Sequence, residues 1–127
     1  MDTILLIESN SNILENFTEY FEIEGFKILS ANNGNKGVEI AREFLPDLII
    51  SAILMNEIDG YDVLRLILHT SNTSEIPFIF STTKCEKNDK VLALKIGADD
   101  YIVKPFTMEQ LCEMARKWIK SGSKRYA

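Results

Sequence analysis

Long apolar runs, clustered cysteines and an excess of basic residues are all missing from this 127-residue sequence. No apolar stretch approaches the ~20 residues that cross a bilayer, and the opening MDTILLIES is too short in its apolar run, and too soon followed by an acid, for a signal peptide. The only two cysteines, Cys85 and Cys112, fall in different expected elements without metal-ligand spacing, which leaves reduced thiols in the cytoplasm as the reading. With 14 Lys and Arg against 19 Asp and Glu, the formal net charge is -5. That balance argues against nucleic acid and against an anionic membrane as partners. The basic tail around Lys117, Lys120, Lys124 and Arg125 is short and follows an amphipathic helix, so it reads as compensation of a helix end. The single histidine, His69, precedes Thr70-Ser71-Asn72 and is expected to cap a helix or lie exposed.

What is present is a regular alternation. A 46% hydrophobic and 26% charged composition suits one globular domain, expected over residues 1–120, with 121–127 as a tail or the start of a linker. Near-continuous apolar runs at Thr3 to Ile7, Phe26 to Ala31, Asp47 to Ala52, Phe78 to Ser81 and Tyr101 to Val103 have strand length. Between them stand helical periods: Leu14, Phe17 and Phe21; Val38, Ala41 and Phe44; Val63, Leu64 and Ile67; Val91, Leu92 and Ile96. The last helix is the clearest, with Met108, Leu111, Cys112, Ala115, Trp118 and Ile119 on one buried stripe. Five apolar strands each followed by a helix predict an α/β fold, a doubly wound five-stranded parallel sheet in the flavodoxin-like order 2-1-3-4-5 with helices on both faces. Ligands of such a sheet sit at the carboxyl ends of the strands.

The residues just past those ends are therefore the candidates: Glu8 and Ser9 after the first strand, Ala52 ending the third, Thr82 and Thr83 after the fourth and Lys104 after the fifth. Pro105 holds Lys104 extended, so an ammonium is aimed out of the sheet toward an anion. An acid, hydroxyls and an ammonium around one crevice suit a phosphoryl group with a divalent cation. Each has a plainer role available: Glu8 as an acid at a helix N-terminus, Thr82 and Thr83 as loop or cap hydroxyls, Tyr101 as a strand aromatic. A stretch from Ser81 to Lys90 leading into Val91 and Leu92 is a candidate partner surface.

The segments ILLIESN, PDLIISAILMNEIDGYDVL, PFIFSTTK and GADDYIVKPF, in this order and spacing, resemble the response-regulator receiver domains of two-component phosphorelay signalling over nearly the whole chain. The resemblance implies that Lys104 contacts phosphate, that Thr82 is the switch hydroxyl, that Tyr101 is the switch aromatic, and that the Lys104-Pro105 bond is cis. It implies further that an acidic pair after the first strand binds Mg²⁺ and that an aspartate ending the third strand accepts phosphate from a histidine kinase. This sequence departs at both points. Ala52 occupies the acceptor position, and a methyl can neither attack a phosphorylated donor nor coordinate metal. The acidic pair is reduced to Glu8 and Ser9, so Mg²⁺ binding is expected to be weak, with Ser9 a doubtful ligand.

Substitute acceptors fare poorly, since Ser51 points to the opposite face of its strand, Asp47 lies at its far end, Asp59 sits in the following loop, and Ser9, though near enough, lacks an evident base. With its acceptor absent, Lys104 is expected to turn to Glu8 or to a water-filled pocket. The expected protein is a regulatory interaction module and not an enzyme. Its partners would be a histidine kinase or other signalling protein, an effector domain, or a second copy docked through the 91–119 face. The alternative is a small flavodoxin-like enzyme or cofactor-binding protein, which the acid at Glu8 and the methyl at Ala52 oppose.

Overall fold

The computed structural model describes residues 1–83 and 86–123; Cys85, Lys124 and Arg125 lie outside the described residues. Five strands, β1 (Thr3–Ile7), β2 (Lys27–Ala31), β3 (Leu48–Ser51), β4 (Phe78–Thr82) and β5 (Asp100–Val103), alternate with five helices, α1 (Ser11–Ile23), α2 (Gly34–Phe44), α3 (Gly60–Leu68), α4 (Lys87–Ile96) and α5 (Met108–Ser121). The strands form one parallel sheet in the order β2-β1-β3-β4-β5, as the alternation predicts. No described helix is long and apolar enough to cross a membrane.

Local chemistry sets the boundaries. Asn10 caps α1 by accepting from the Ile13 amide, Asn33 does the same for α2 at Lys36, and Thr107 and Gln110 form a reciprocal capping box on α5. Two strands are shorter than their apolar runs suggest. The Phe26 amide still bonds the Phe21 carbonyl at the end of α1, so β2 begins at Lys27. Asp47 turns its carboxylate to the Thr3 amide at 2.8 Å and stays outside β3. β4 and β5 are each one residue longer than expected, reaching Thr82 and beginning at Asp100.

Strand parity divides the core into two layers. Leu5, Ile49, Phe78, Phe80 and Tyr101 pack with Val38, Ala41, Val63, Leu64 and Ala93 under α2, α3 and α4. Ile4, Leu6, Ile50 and Ile79 pack with Phe21, Leu111, Cys112, Ala115 and Trp118 under α1 and α5. The Met108–Trp118 stripe is therefore core, and His69 is the C-cap of α3 and exposed. α4 departs from the pattern. Its buried hydrophobic is Ala93, whereas Val91, Leu92 and Leu94 are 53%, 44% and 42% exposed.

Candidate functional site at the carboxyl ends of the strands

Register places the crevice. Ile7 pairs with Ser51 and Ser51 with Phe80, so β1, β3 and β4 end side by side. The ladder continues one bond past each strand: the Glu8 amide donates to the Ala31 carbonyl at 3.0 Å, Ala52 to Ile7 at 2.9 Å, and Lys104 to Thr82 at 2.8 Å. These bonds fix Glu8, Ala52 and Lys104 as the first residues beyond the sheet. They line, with Ser9, Asn10, Ile53, Leu54, Ser81, Thr82 and Thr83, an open cavity of about 210 Å³. All of the expected crevice residues are thus brought together. The Lys104-Pro105 bond is cis.

Charge in the crevice is balanced internally. Lys104 Nζ lies 3.5 Å from Glu8 Oε1, with the two side chains 23% and 10% exposed. The other carboxylate oxygen of Glu8 accepts the Asn10 amide at 2.9 Å. Glu8 therefore ties the α1 cap to β5, doing more than the simple helix-terminus role available to it from sequence. Ala52 presents its methyl beside this pair and is buried. Ser9 lies exposed at the rim, where it also borders a groove between α1 and β2. Thr82 is buried and Thr83 exposed; neither caps α4, whose N-cap is Glu86 without a side-chain bond. Tyr101 is buried, its ring 6.3 Å from Phe80 in an edge arrangement.

The substitute acceptors are engaged elsewhere. Ser51 is fully buried and its hydroxyl donates to the Ala52 carbonyl at 2.8 Å. Asp59 caps α3, accepting from the Asp62 amide at 3.0 Å while Asp62 returns a bond to the Asp59 amide. A divalent cation finds a poor donor set: among the described residues Glu8 is the one carboxylate lining the cavity, and it already holds Lys104 and an amide. Among the described residues no group of three acids, histidines or cysteines is arranged to hold a metal. The residues present do not fit Mg²⁺.

Two site residues escape the reading of strand ends. Ser81 is buried with its hydroxyl lacking a hydrogen-bond partner among the described residues, and it sits on the floor beneath Ala52 with Leu6, Ile50 and Phe17. Parity was the signal for it, because Ser81 shares a face with Ile79. Leu54, 62% exposed, forms an apolar lip that no periodicity marks.

Comparison with known proteins identifies the family to which this fold belongs. Residues 4–116 match the model of the response regulator receiver domain. The chain is 32% identical to Response regulator SaeR of Staphylococcus aureus over 111 residues, which cover 87% of this chain and 47% of that protein. The chain thus spans about half the length of the curated relatives it matches. Among solved structures, a response regulator receiver domain protein from Clostridium thermocellum superposes with a TM-score of 0.88 at 30% identity, covering 95% of this chain and 96% of that one. The signal receiver domain of a signal transduction histidine kinase from Syntrophus aciditrophicus gives a TM-score of 0.88 at 31% identity, covering 100% and 96%.

Proposed function

The chain belongs to the response regulator receiver domain family, and from that premise we propose that it is a regulatory protein-interaction module of two-component phosphorelay signalling that works without phosphorylation at Ala52. The observation that carries this reading is the methyl of Ala52 set beside a Lys104 already neutralised by Glu8. Acyl phosphate formation needs a carboxylate oxygen to attack phosphorus while the donor's leaving group departs, and no such oxygen stands at this position. On this reading Lys104 is the phosphoryl-contacting residue, Thr82 the switch hydroxyl and Tyr101 the switch aromatic, which the position of Lys104 and Thr82 at the crevice supports. Their trigger is missing, so output rests on contacts with a histidine kinase, another signalling protein, an effector domain or a second copy through the 91–119 face. On this reading the work is regulatory rather than catalytic and cytoplasmic, a location supported by two cysteines without metal-ligand spacing.

The test is direct. The purified chain is incubated with acetyl phosphate and Mg²⁺ and weighed intact. An unchanged mass is expected, and a stable gain of one phosphoryl group would overturn the reading.

A further inference from the structure

Ser81 shares with Ile79 the face of the sheet that α1 and α5 cover, an apolar layer in which a hydroxyl is out of place. It is 2% exposed and its hydroxyl finds no hydrogen-bond partner among the described residues. A buried polar group left so is costly, and ordered water is the usual remedy where the site has room and polarity. Room is present. Beneath Ala52 the hydroxyl shares with Leu6, Ile50, Phe17 and Glu8 a cavity of about 10 Å³, the space within which the centre of one water-sized sphere can move. Register supplies the second polar partner. Ile7 pairs with Ser51 and Ser51 with Phe80, so Glu8, Ala52 and Ser81 stand in a row on one face across β1, β3 and β4. Two strand spacings, roughly 10 Å between Cα atoms, separate the outer two, and no direct bond joins them. Lys104 follows on β5, so the Glu8–Lys104 pair crosses this row on the side of Ser81. A bridging water spans about 5.6 Å between the atoms it bonds, which closes the gap that remains.

We propose that the cavity beneath Ala52 is a binding site for one water molecule, which accepts from the Ser81 hydroxyl and donates to the Glu8 carboxylate. Ser81 is then a positioning residue. Through the water it steadies Glu8, and through Glu8 it steadies Lys104, so the ends of β4, β1 and β5 are tied around a methyl without metal or phosphate. This rests on the reading of the crevice as one that works unphosphorylated, and names what holds its resting shape. The chemistry of the cavity selects the occupant. Its carboxylate already balances an ammonium, which leaves no charge for an ion to meet. The volume excludes molecules of several heavy atoms. The occupant must accept from a hydroxyl and donate to a carboxylate, which water does with one oxygen. Leu6, Ile50 and Phe17 wall it with apolar surface, so those two bonds decide its place.

High-resolution crystal structures of the whole chain and of its Ser81→Ala variant test the site. One water is expected about 2.8 Å from both Ser81 Oγ and a Glu8 carboxylate oxygen in the unaltered chain, and none at that place in the variant, although the variant leaves more room. Amide hydrogen exchange tests the positioning role. The Asn10 amide, which Glu8 holds, is expected to exchange about five-fold faster in Ser81→Ala, while the Leu5 amide in the middle of β1 keeps its rate. A Ser81 hydroxyl that donates to a main-chain carbonyl, a cavity without water density, or a water that persists in the variant overturns the proposal. So does an unchanged Asn10 rate, or an equal acceleration at Leu5, which would mark a general loss of stability. A phosphoryl mass gain would strike the reading of Ala52 and leave these measurements standing.

Discussion

Lys104 and Glu8 form an ion pair, 3.5 Å between Nζ and Oε1, that joins the end of β5 to the end of β1 across the methyl of Ala52. Its partial burial decides its energetics: an exposed pair is worth little, whereas removing one member of a buried pair leaves the other charge without compensation.

Glu8→Gln is therefore expected to lower unfolding free energy by about 1–3 kcal/mol, combining an orphaned Lys104 ammonium with a weaker acceptor for the Asn10 amide. Urea denaturation checks the size. Adding Lys104→Met should recover part of the loss, because the double change removes both charges together, and equal destabilisation by the single and double variants would contradict the coupling.

Restoring the missing acids separates the two departures at the site. Ala52→Asp alone provides a nucleophile but gives a metal two carboxylates in a pocket where one already holds Lys104. Ala52→Asp with Ser9→Asp supplies the set that an octahedral cation requires. Calorimetric Mg²⁺ affinity is expected to rise from the unaltered chain through the single variant to the double, with phosphoryl uptake from acetyl phosphate following the same order. Uptake by the single variant equal to the double would show that Ser9 is no handicap.

The crossovers and the crevice were legible because their physical signals are local. Apolar runs of strand length, separated by helical periods, fix a parallel sheet, and parity then tells Ser51 from Ala52. What escaped depends on three-dimensional neighbours. Val91, Leu92 and Ile96 read as one helical period, yet the small Ala93 is the buried residue of α4 and Val91 and Leu92 stand outward with Leu94. Trp118 reads as a stripe residue, but only the structure shows its indole donating to Asp100 at 2.7 Å. Ser81 is polar within the apolar run of β4, and its meaning appears only when Ala52 lies above it.

Glu57 adopts φ 67 in the loop after β3, the left-handed region that a residue with a Cβ enters at a cost. Its visible recompense is an exposed bond from Asn35 Nδ2 to its carboxylate at 3.1 Å. Glu57→Gly is expected to raise stability by about 0.5–1 kcal/mol, the relief of strain outweighing both that surface bond and the greater freedom of glycine in the unfolded chain. A lower thermal midpoint for the variant would show the Asn35 bond to matter more than the backbone.

Gly60, at the start of α3, is required for the opposite reason. A Cβ there would fall against the Ala52 carbonyl oxygen and within 2.9 Å of the Phe80 ring, which is itself held between Tyr61 at 5.4 Å and Phe78 at 5.0 Å. Backbone on one side and a clamped ring on the other leave nothing free to yield. Gly60→Ala is expected to cost about 2 kcal/mol or more, while Gly25→Ala, where a Cβ meets open space, suffers only its positive φ of 97. Comparable losses at the two sites in chemical denaturation would refute the packing argument.

Cys112 links stability to alkaline pH. Burial raises its thiol pKa above the ordinary value, with Glu24 adding to the shift and the neighbouring Arg116 opposing it. The folded chain then keeps the proton at a pH where the unfolded chain has released it, so the unfolded state binds fewer protons and unfolding free energy falls as pH rises. The contribution is whole below the unfolded thiol's pKa of roughly 8.5 and is lost above it as the folded pKa is approached. Urea titrations at neutral pH and well above that value should show the decline, and Cys112→Ala should make it shallower. Alkylation in native buffer followed by peptide mapping is expected to leave Cys112 unmodified until denaturant is added. Prompt labelling of Cys112 at neutral pH, or an unchanged alkaline slope in the variant, would contradict the assignment.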